Sequence, residues 1–594
     1  MTNNLLTLRN ILGKDNSRRI VFLVPFFIIS SLLETISIGL IVPLISVLSD
    51  DSLVRSYLLP ISIFNNISTE SLQILTLGAF MLVYILKSLY SIFFFYYTEK
   101  FLLEIRLKLH DNMFFSYLKT GYEFHLQHNR SELKRNIDEI GTVFQGYVSP
   151  LVLLIVELMI LSGILLMLMV SEPLVTSLAI TAISGLSFLT YFYVKPILTK
   201  MGAERIDASE KINRHLYQGL GAIKEVKVLQ KEKYFSDKFH EYMDKFLRLN
   251  LMNAIYNTAS FLLIEALFII SSVILIYIFL QSSNLQNSLP ILALFSMASV
   301  RLLQSVKKIN MCINQLSYSK SSLDLVSVEI GDINNLNPLD SKKDSSVLDI
   351  HLCERVELKG MSYKYPDVNK KILNNIDIVF EKNTCTAIVG KSGAGKTTLV
   401  NVFLNLLTAS EGVFLVDGSK YKDLSVLKNN IGYVPQSVYI TDDSIEHNIA
   451  FGVSEDEIDY DRVVSSLKLS HLYDFVSSLP DGVATILGEN GARLSGGQRQ
   501  RLGIARALYT DPDIIVFDEM TASLDGNTEF RIMREIYNMA KMKTIVIITH
   551  KINTIKSCDK IYLLESGKIE DVGNYHELYE HNNKFREMAD GHTH

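Results

Sequence analysis

The sequence predicts a membrane all-α domain of six spans fused to a cytosolic α/β domain of the P-loop ATPase type. Three observations predict it. Hydrophobic residues make up 48% of the 594 and charged residues only 20%, with a mean hydropathy of +0.21, which excludes a disordered or fibrous chain. The apolar mass is concentrated in residues 1–325. After a polar, turn-rich stretch, short β-rich runs alternate with helical patterns, as in a domain with a largely parallel sheet. The expected boundaries are therefore 1–325 for the membrane region, 326–346 for a linker that includes Gly331 to Ser346, and 347–594 for the ATPase region.

The spans are expected near 20–48, 72–97, 146–170, 173–194, 251–280 and 288–311. Each is long enough for a bilayer core, which takes about 20 helical residues. Leu151 to Val170 carries one charge, Glu157, whereas a helix at the surface of a water-soluble protein has a polar face. The polar, basic start (Lys14, Arg18, Arg19) shows neither a small-residue cleavage site nor an Arg/Ser-rich presequence. An uncleaved first span in a bacterial inner membrane is the expectation. Loop charges orient the spans. The loops 98–145 and 195–250 hold nineteen Lys and Arg, and the loop 49–71 holds only Arg55. Both long loops and both termini are expected on the cytoplasmic side. The loops are charged and periodic rather than rich in Gly and Pro, so they read as helical extensions. The loop 49–71 also has an apolar patch, Leu58 to Phe64, that suits an interfacial helix.

Lys and Arg total 58 against 63 Asp and Glu, which gives no case for nucleic acid as a partner. Cys312, Cys353, Cys385 and Cys558 fit neither a zinc site nor a disulfide framework, so reduced thiols are expected.

The chemistry concentrates in the second half. Gly390, Lys391, Ser392, Gly393, Ala394, Gly395, Lys396 and Thr397, followed by Thr398, match the phosphate-binding loop. They follow an apolar run, Cys385 to Val389, and open a helix, Lys396 to Leu407, which is the context that motif needs. Glycines let backbone N–H groups close around phosphate oxygens, and the helix N-terminus adds positive potential. Lys396 is expected on the β/γ-phosphates and Thr397 on Mg²⁺. Ile514 to Glu519 reads as a buried strand ending in two carboxylates. Asp518 is expected to hold Mg²⁺, and Glu519 to orient or deprotonate the attacking water. A second apolar strand, Thr544 to Ile548, leads to His550, where a γ-phosphate contact is expected.

Leu494-Ser495-Gly496-Gly497-Gln498 lies between them. With the P-loop, the Asp-Glu strand end, Ser523-Leu524-Asp525 and His550, in this order, it resembles the nucleotide-binding domain of ABC transporters. The resemblance implies further roles. Tyr365 matches the aromatic that stacks on adenine. Gln436 matches the glutamine that senses Mg²⁺ and the γ-phosphate. Glu489 lies in the loop that faces the intracellular loops of exporters. Ser495, Gly496, Gly497, Gln498 and Asp525 complete the ATP site. Met520 and Lys551 depart from the usual alanine and arginine without removing a catalytic group. The resemblance also implies that each site is completed by the signature of a second chain, so a homodimer is expected, with ATP and Mg²⁺ as cofactors. Six spans ahead of one ATPase domain resemble the exporter-type half transporter, with coupling helices near Tyr122–Arg130 and His215–Ile223.

Charges within spans are costly and mark function by default. They are Glu34, Lys87, Glu157, Glu265 and Arg301, with Lys307 and Lys308 further on. Each has two readings, ion pairing between helices or contact with cargo. Lys87 and Arg301 lie on spans two and six and are the candidate substrate residues. The run Glu34 to Pro43 follows an E-T-x-x-I-x-L-x-x-P arrangement, and Asn129 to Lys134 follows the first coupling segment. With the outer loop, these resemble the PglK-like flippases of polyprenyl-pyrophosphate-linked oligosaccharides. A cation that the resemblance would place in span five is replaced by Phe261. The expected function is ATP-driven translocation of an amphiphile by alternating access, most specifically that glycolipid. The alternatives are export of another lipid, drug or peptide, and a channel or regulator that uses ATP only as a ligand.

Overall fold

A computed structural model describes residues 7–8, 11–13, 22–42, 44–45, 69–171, 173–282, 285–336, 354–366, 369–520 and 526–591. The chain divides into two compact units, Met1–Thr120 with Phe124–Ser341, and Gly121–Glu123 with Lys342–His594.

The first unit is helical throughout its described residues. Its elements are α1 (Val24–Gly39), α2 (Thr69–Lys119), α3 (Tyr122–Gln127), α4 (Arg130–Val143), a π-helical turn (Phe144–Val148), α5 (Ser149–Ser171) and α6 (Pro173–Gly221). α7 (Ile223–Val228), α8 (Glu232–Ser282), α9 (Leu285–Tyr318) and α10 (Lys320–Leu336) follow. At about 1.5 Å per residue, the 51 residues of α2 or α8 extend about 75 Å, against about 30 Å for a hydrocarbon core. The charged loops at 98–145 and 195–250 are therefore largely continuations of apolar helices, as their periodicity suggests. Helices cover all six expected stretches where residues are described. By length and hydropathy alone, Ile74–Lys119, Arg130–Val170 and Glu232–Ile270 qualify as spans among the described residues, and Val24–Gly39 is a shorter apolar helix.

α5 is the centre of the membrane helices, packed against α1 and α9. Val152, Val156, Ile160 and Ile164 bury one stripe of it against Phe27, Leu294 and Leu302. α1 and α5 approach closely at Gly163, where a Cβ would lie 2.5 Å from the Thr35 Oγ1. Small residues permit such approaches where lipid supplies no hydrophobic drive between helices. At the charged ends a second core gathers Leu102, Ile105, Ile140, Phe144, Leu323 and Val326. Beside it the Arg205 guanidinium donates to both carboxylate oxygens of Glu139, at 2.7 and 3.0 Å, and to the Ser322 hydroxyl at 3.0 Å. A buried pair holds only with such extra hydrogen bonds.

Two local expectations shift. The helix α10 runs to Leu336, past Gly331, because Leu323, Val326 and Ile333 form a buried stripe at helical spacing under its polar composition. Residues 337–353, including the rest of the expected linker and Cys353, lie outside the described residues, as do the apolar patch 58–64 and Pro43. The second short cytoplasmic helix is α7 at Ile223–Val228, a little beyond 215–223, because α6 continues to Gly221.

The second unit holds two sheets. Its strands are β1 (Arg355–Tyr363), β2 (Leu373–Glu381), β3 (Cys385–Val389), β4 (Glu411–Val416), β5 (Ser419–Tyr421), β6 (Ile431–Val434), β7 (Ile514–Asp518), β8 (Thr544–Thr549), β9 (Lys560–Glu565) and β10 (Lys568–Gly573). The larger sheet runs β10-β9-β3-β8-β7-β6, parallel except at the β10–β9 edge. β3, β7 and β8 are buried at every residue, as parallel strands covered on both faces must be. A second, antiparallel sheet, β2-β1-β4-β5, adds to the parallel one that the alternation of strands and helices predicts. Helices α11 (Lys396–Phe403), α12 (Ile445–Ile449), α13 (Tyr460–Leu469), α14 (Tyr473–Ser477), α15 (Gly496–Tyr509), α16 (Gly526–Met539), α17 (Tyr575–His581) and α18 (Asn583–Asp590) complete it. Cys385 and Cys558 are free thiols, with their Sγ atoms 2.8 Å apart in this core.

Candidate functional site

The parallel sheet assembles one site from segments far apart in sequence. β3, β8, β7 and β6 are consecutive neighbours, so their carboxyl ends stand side by side. Those ends carry the phosphate-loop motif, His550, Asp518 with Glu519, and Gln436 respectively. Ligands of open parallel sheets bind at such carboxyl ends.

The loop after β3 is built on glycine. Gly393 and Gly395 have φ of +81° and +105°, which side chains with a Cβ rarely adopt, and a Cβ on Gly390 would lie 2.2 Å from the Leu564 carbonyl oxygen. Gly395 is the N-cap of α11 with no side-chain cap, which leaves the helix's first N–H groups for a ligand. Lys396 is buried, and its ammonium donates to the carbonyl oxygens of Gly390 at 2.7 Å and Lys391 at 3.2 Å. Burial lowers its pKa, opposed by the charges of Glu519 and Asp518. Thr397 is exposed beside it, and Thr398 is buried.

Asp518 ends β7 and is buried. Burial, then the neighbouring Glu519, pushes its pKa up. The Tyr433 hydroxyl approaches its Oδ2 at 3.5 Å, and burial with that carboxylate raises the phenol's pKa. Glu519 has a left-handed φ of +47°, fixed by its N–H donating to the Ile548 carbonyl on β8 at 2.9 Å. Its carboxylate is held between two neighbours. Gln436 Nε2 donates to one oxygen at 2.7 Å, and His550 Nδ1 lies 3.4 Å from the other. Strand ends therefore bring Glu519, Gln436 and His550 together, with Asp518 next in the chain.

Among the described residues no group of three His, Cys, Asp or Glu can hold a metal alone. A divalent ion here would draw on Thr397, Asp518 and substrate phosphate oxygens, which suits Mg²⁺. The glycine cradle and the donor set fit ATP with Mg²⁺.

The other expected residues are placed as follows. Tyr365 is half-buried and packs edge-on against Tyr363, with ring centroids 5.1 Å apart. Ser495 caps α15: its hydroxyl accepts from the Gln498 N–H at 3.2 Å, and Gln498 Oε1 accepts from the Ser495 N–H at 2.8 Å. That capping box holds Gly496 and Gly497 in the first turn. Glu489 opens a short turn, Glu489–Gly491. Met520 is buried in the core, and Lys551 pairs with Glu529 at 3.1 Å. Asp525 lies outside the described residues. Sequence reasoning passed over Tyr433 and Arg506. The Arg506 guanidinium donates to Asn448 O at 2.7 Å and Tyr439 O at 2.9 Å, and so ties α15 to the segment after Gln436. Neither lies in a motif.

In the first unit the intramembrane charges form one cluster. Lys87 Nζ is 2.9 Å from Glu34, and Arg301 Nε is 2.5 Å from the same carboxylate. Arg301 also reaches Glu157 at 3.3 Å, and Lys308 reaches Glu157 at 2.7 Å. Ser305 donates to Glu157 at 2.9 Å. The structure thus brings Lys87 and Arg301 together, and gives both to carboxylates of neighbouring helices. Of the two readings, pairing between helices is present. Lys307 stands 4.4 Å over the ring of Phe261.

Residues 20–306 match the family profile described as "ABC transporter transmembrane region", and residues 373–522 match the profile described as "ABC transporter". The chain is an ABC transporter. Its relatives include proteins named ATP-dependent lipid A-core flippase. The one from Francisella tularensis subsp. tularensis (strain FSC 198) is 36% identical over 227 residues, 38% of this chain and 37% of the relative. The one from Coxiella burnetii is 38% identical over 235 residues, 39% and 40% of the two chains. The chain thus spans about two fifths of the length of the curated relatives it matches. Its whole length is similar in fold to a solved bacterial Atm1-family ABC exporter with ATP bound, with a TM-score of 0.78, 19% identity, and 97% and 98% of the two chains covered. The fold of this ABC transporter is thus that of an exporter, with a membrane domain fused to a nucleotide-binding domain.

Proposed function

We propose that this chain is an ATP-driven exporter or flippase that moves an amphiphile across a bacterial inner membrane by alternating access. Six spans and cytoplasmic termini follow from the apolar stretches and the Lys/Arg asymmetry. The membrane domain is 1–325, the linker 326–346 and the ATPase domain 347–594. One observation carries the reading: Glu519 is fixed between Gln436 and His550 at the mouth of the phosphate loop.

In this reading Gly390, Lys391, Ser392, Gly393, Ala394, Gly395 and Thr398 cradle the phosphates. The Lys396 ammonium leaves its loop carbonyls for the β/γ-phosphate oxygens. Glu519 accepts the proton of the attacking water, or aligns it, while Gln436 and His550 hold the carboxylate in place and reach the γ-phosphate. Mg²⁺, held through Thr397, Asp518 and Gln436, would neutralise developing charge on the phosphates. Tyr365 stacks on adenine. Two copies form a homodimer in which Ser495, Gly496, Gly497, Gln498 and Asp525 complete the partner's site. Closure by ATP then shifts the spans between two states, a population shift driven by differential contacts.

The cargo carries an anionic group. The cluster of Lys87, Arg301 and Lys308 against Glu34 and Glu157 has a net charge of +1 on any assignment of pairs. A phosphate or pyrophosphate that displaces Glu34 from Lys87 and Arg301 gains two charged hydrogen-bond donors. A polyprenyl-pyrophosphate-linked oligosaccharide and an anionic acyl lipid both satisfy this, and the name shared by the relatives favours a lipid-like cargo.

The test is ATPase activity in lipid nanodiscs. Wild type is expected to hydrolyse ATP, with stimulation by an anionic glycolipid and not by neutral drugs. Stimulation by drugs alone would reject the anionic cargo, and absence of hydrolysis would reject the ATP-driven mechanism.

A further inference from the structure

We propose that a cavity in the first unit holds an acyl chain of an anionic lipid, and that the Thr98 hydroxyl donates to the ester or amide carbonyl where chain meets head group. The proposal rests on the amphiphile reading above and chooses between its two cargoes. The cavity encloses about 340 Å³ among α2, the π-helical turn, α5 and α9. That volume lies in the range of small-ligand sites. Phe94, Leu102, Val152, Leu153 and Val156 give it apolar walls, and Thr98, Gln145 and Gln315 are its polar groups.

Thr98 carries the argument. It is 7% exposed, and its Oγ1 has no hydrogen-bond partner among the described residues. A helical threonine ordinarily satisfies its hydroxyl on the carbonyl four residues back. Thr120 does so on Ser116 at 2.9 Å, and Thr199 on Lys195 at 3.0 Å, in this same unit. Leaving a buried hydroxyl unpaired costs about 1–3 kcal/mol, which a ligand acceptor would recover.

Position and charge define that acceptor. Thr98 stands where the apolar run of α2 ends and its charged extension begins, at Glu99 and Lys100. Lys100, Arg106 and Lys108 outnumber Glu99 and Glu104 over the next three turns, which complements an anionic head group. An acyl lipid in a leaflet at this level presents its carbonyl just below such a head group. A polyprenyl chain has no polar atom there. The unsatisfied hydroxyl therefore favours an acyl lipid over a polyprenyl carrier.

The experiment uses the full-length protein in nanodiscs and three photoactivatable probes. They are phosphatidylglycerol with a diazirine in an ester-linked chain, its ether-linked analogue, and undecaprenyl phosphate with a diazirine. Labelled peptides are mapped by mass spectrometry. The ester probe is expected to label residues 149–156 and 311–315. Thr98→Val should weaken its apparent affinity about 5-fold, Thr98→Ser should restore it, and neither should move the ether probe. Leu153→Trp, with its fold checked by elution profile and melting temperature, should abolish labelling of these peptides. The proposal is overturned if undecaprenyl phosphate labels the cavity as well as the ester probe does. It is also overturned if Thr98→Val weakens both phosphatidylglycerol probes alike, or if the cavity peptides stay unlabelled in wild type. Labelling needs no ATP. Cavity labelling without ATP-driven lipid movement would reject the exporter reading and leave this site standing, and movement without cavity labelling would do the reverse.

Discussion

Two charge clusters in this chain are built from similar side chains and are poised differently. At the mouth of the phosphate loop, Lys396 donates only to backbone carbonyls, and the carboxylates of Asp518 and Glu519 lie side by side with Gln436 and His550 as neighbours. In the membrane helices, Lys87, Arg301 and Lys308 are already spent on Glu34 and Glu157. The first cluster has cation and carboxylate potential left over for phosphate and metal. The second is self-satisfied, so an incoming anion must compete with an ion pair. A ready site suits a nucleotide present throughout the cycle. A site that opens by exchanging partners suits a cargo that must bind and then leave.

The comparison predicts where substitutions act. The largest effect is expected for Glu519→Gln, which keeps the hydrogen bond to Gln436 and removes the base. Hydrolysis should fall by about 10²- to 10⁴-fold while ATP binding persists, as read by phosphate release beside nucleotide binding. Turnover near wild type would remove Glu519 from the chemistry.

Next comes Glu157→Gln. It leaves Arg301 and Lys308 short of a buried partner, which costs about 3–5 kcal/mol where burial is complete. A drop in melting temperature in detergent is expected, partly reversed when Arg301→Leu is added. Strict additivity of the two changes would mean that the pair does not couple.

The sign reverses for Asp518→Asn. Burial and Glu519 raise the Asp518 pKa above the ordinary 3.8, so its ionised form costs stability at any pH above the raised value and the cost vanishes below it. The asparagine variant should melt higher than wild type at neutral pH and should lose Mg²⁺-dependent hydrolysis. As pH falls toward the raised pKa, the stability gap should close. A lower melting temperature at neutral pH would contradict that burial cost.

The smallest effect is expected for Gly395→Ala. A left-handed φ of +105° strains any residue with a Cβ by about 1–2 kcal/mol, and the added Cβ would sit 3.2 Å from Leu373. Weaker ATP affinity with modest loss of stability should follow in a titration.

The same two clusters mark what was legible in the sequence. The phosphate loop, Asp518 and Glu519 could be read because each sits in a local pattern, a strand followed by a turn or by carboxylates. The contact of Gln436 with Glu519 could not, since it joins the ends of two strands 83 residues apart. In the membrane half, Lys87 and Arg301 stood out as charges in apolar runs. Their partner Glu34 lies 267 residues from Arg301, and one sequence carries no signal for that pairing. The helix at 331–336 was hidden because polar residues outnumber the stripe that buries Ile333. The antiparallel sheet was hidden because pairing depends on register between distant strands, as between β1 and β4.

The central claim joins the two clusters: hydrolysis at Glu519 drives an anionic amphiphile across the membrane. Its most direct test is movement of fluorescent phosphatidylglycerol and of a labelled polyprenyl-pyrophosphate glycolipid in sealed proteoliposomes, for wild type and Glu519→Gln. The account predicts movement of one of these lipids that requires ATP and is lost in the variant. Movement that persists without ATP or survives in Glu519→Gln, or immobility of both lipids in a protein that hydrolyses ATP, would contradict it.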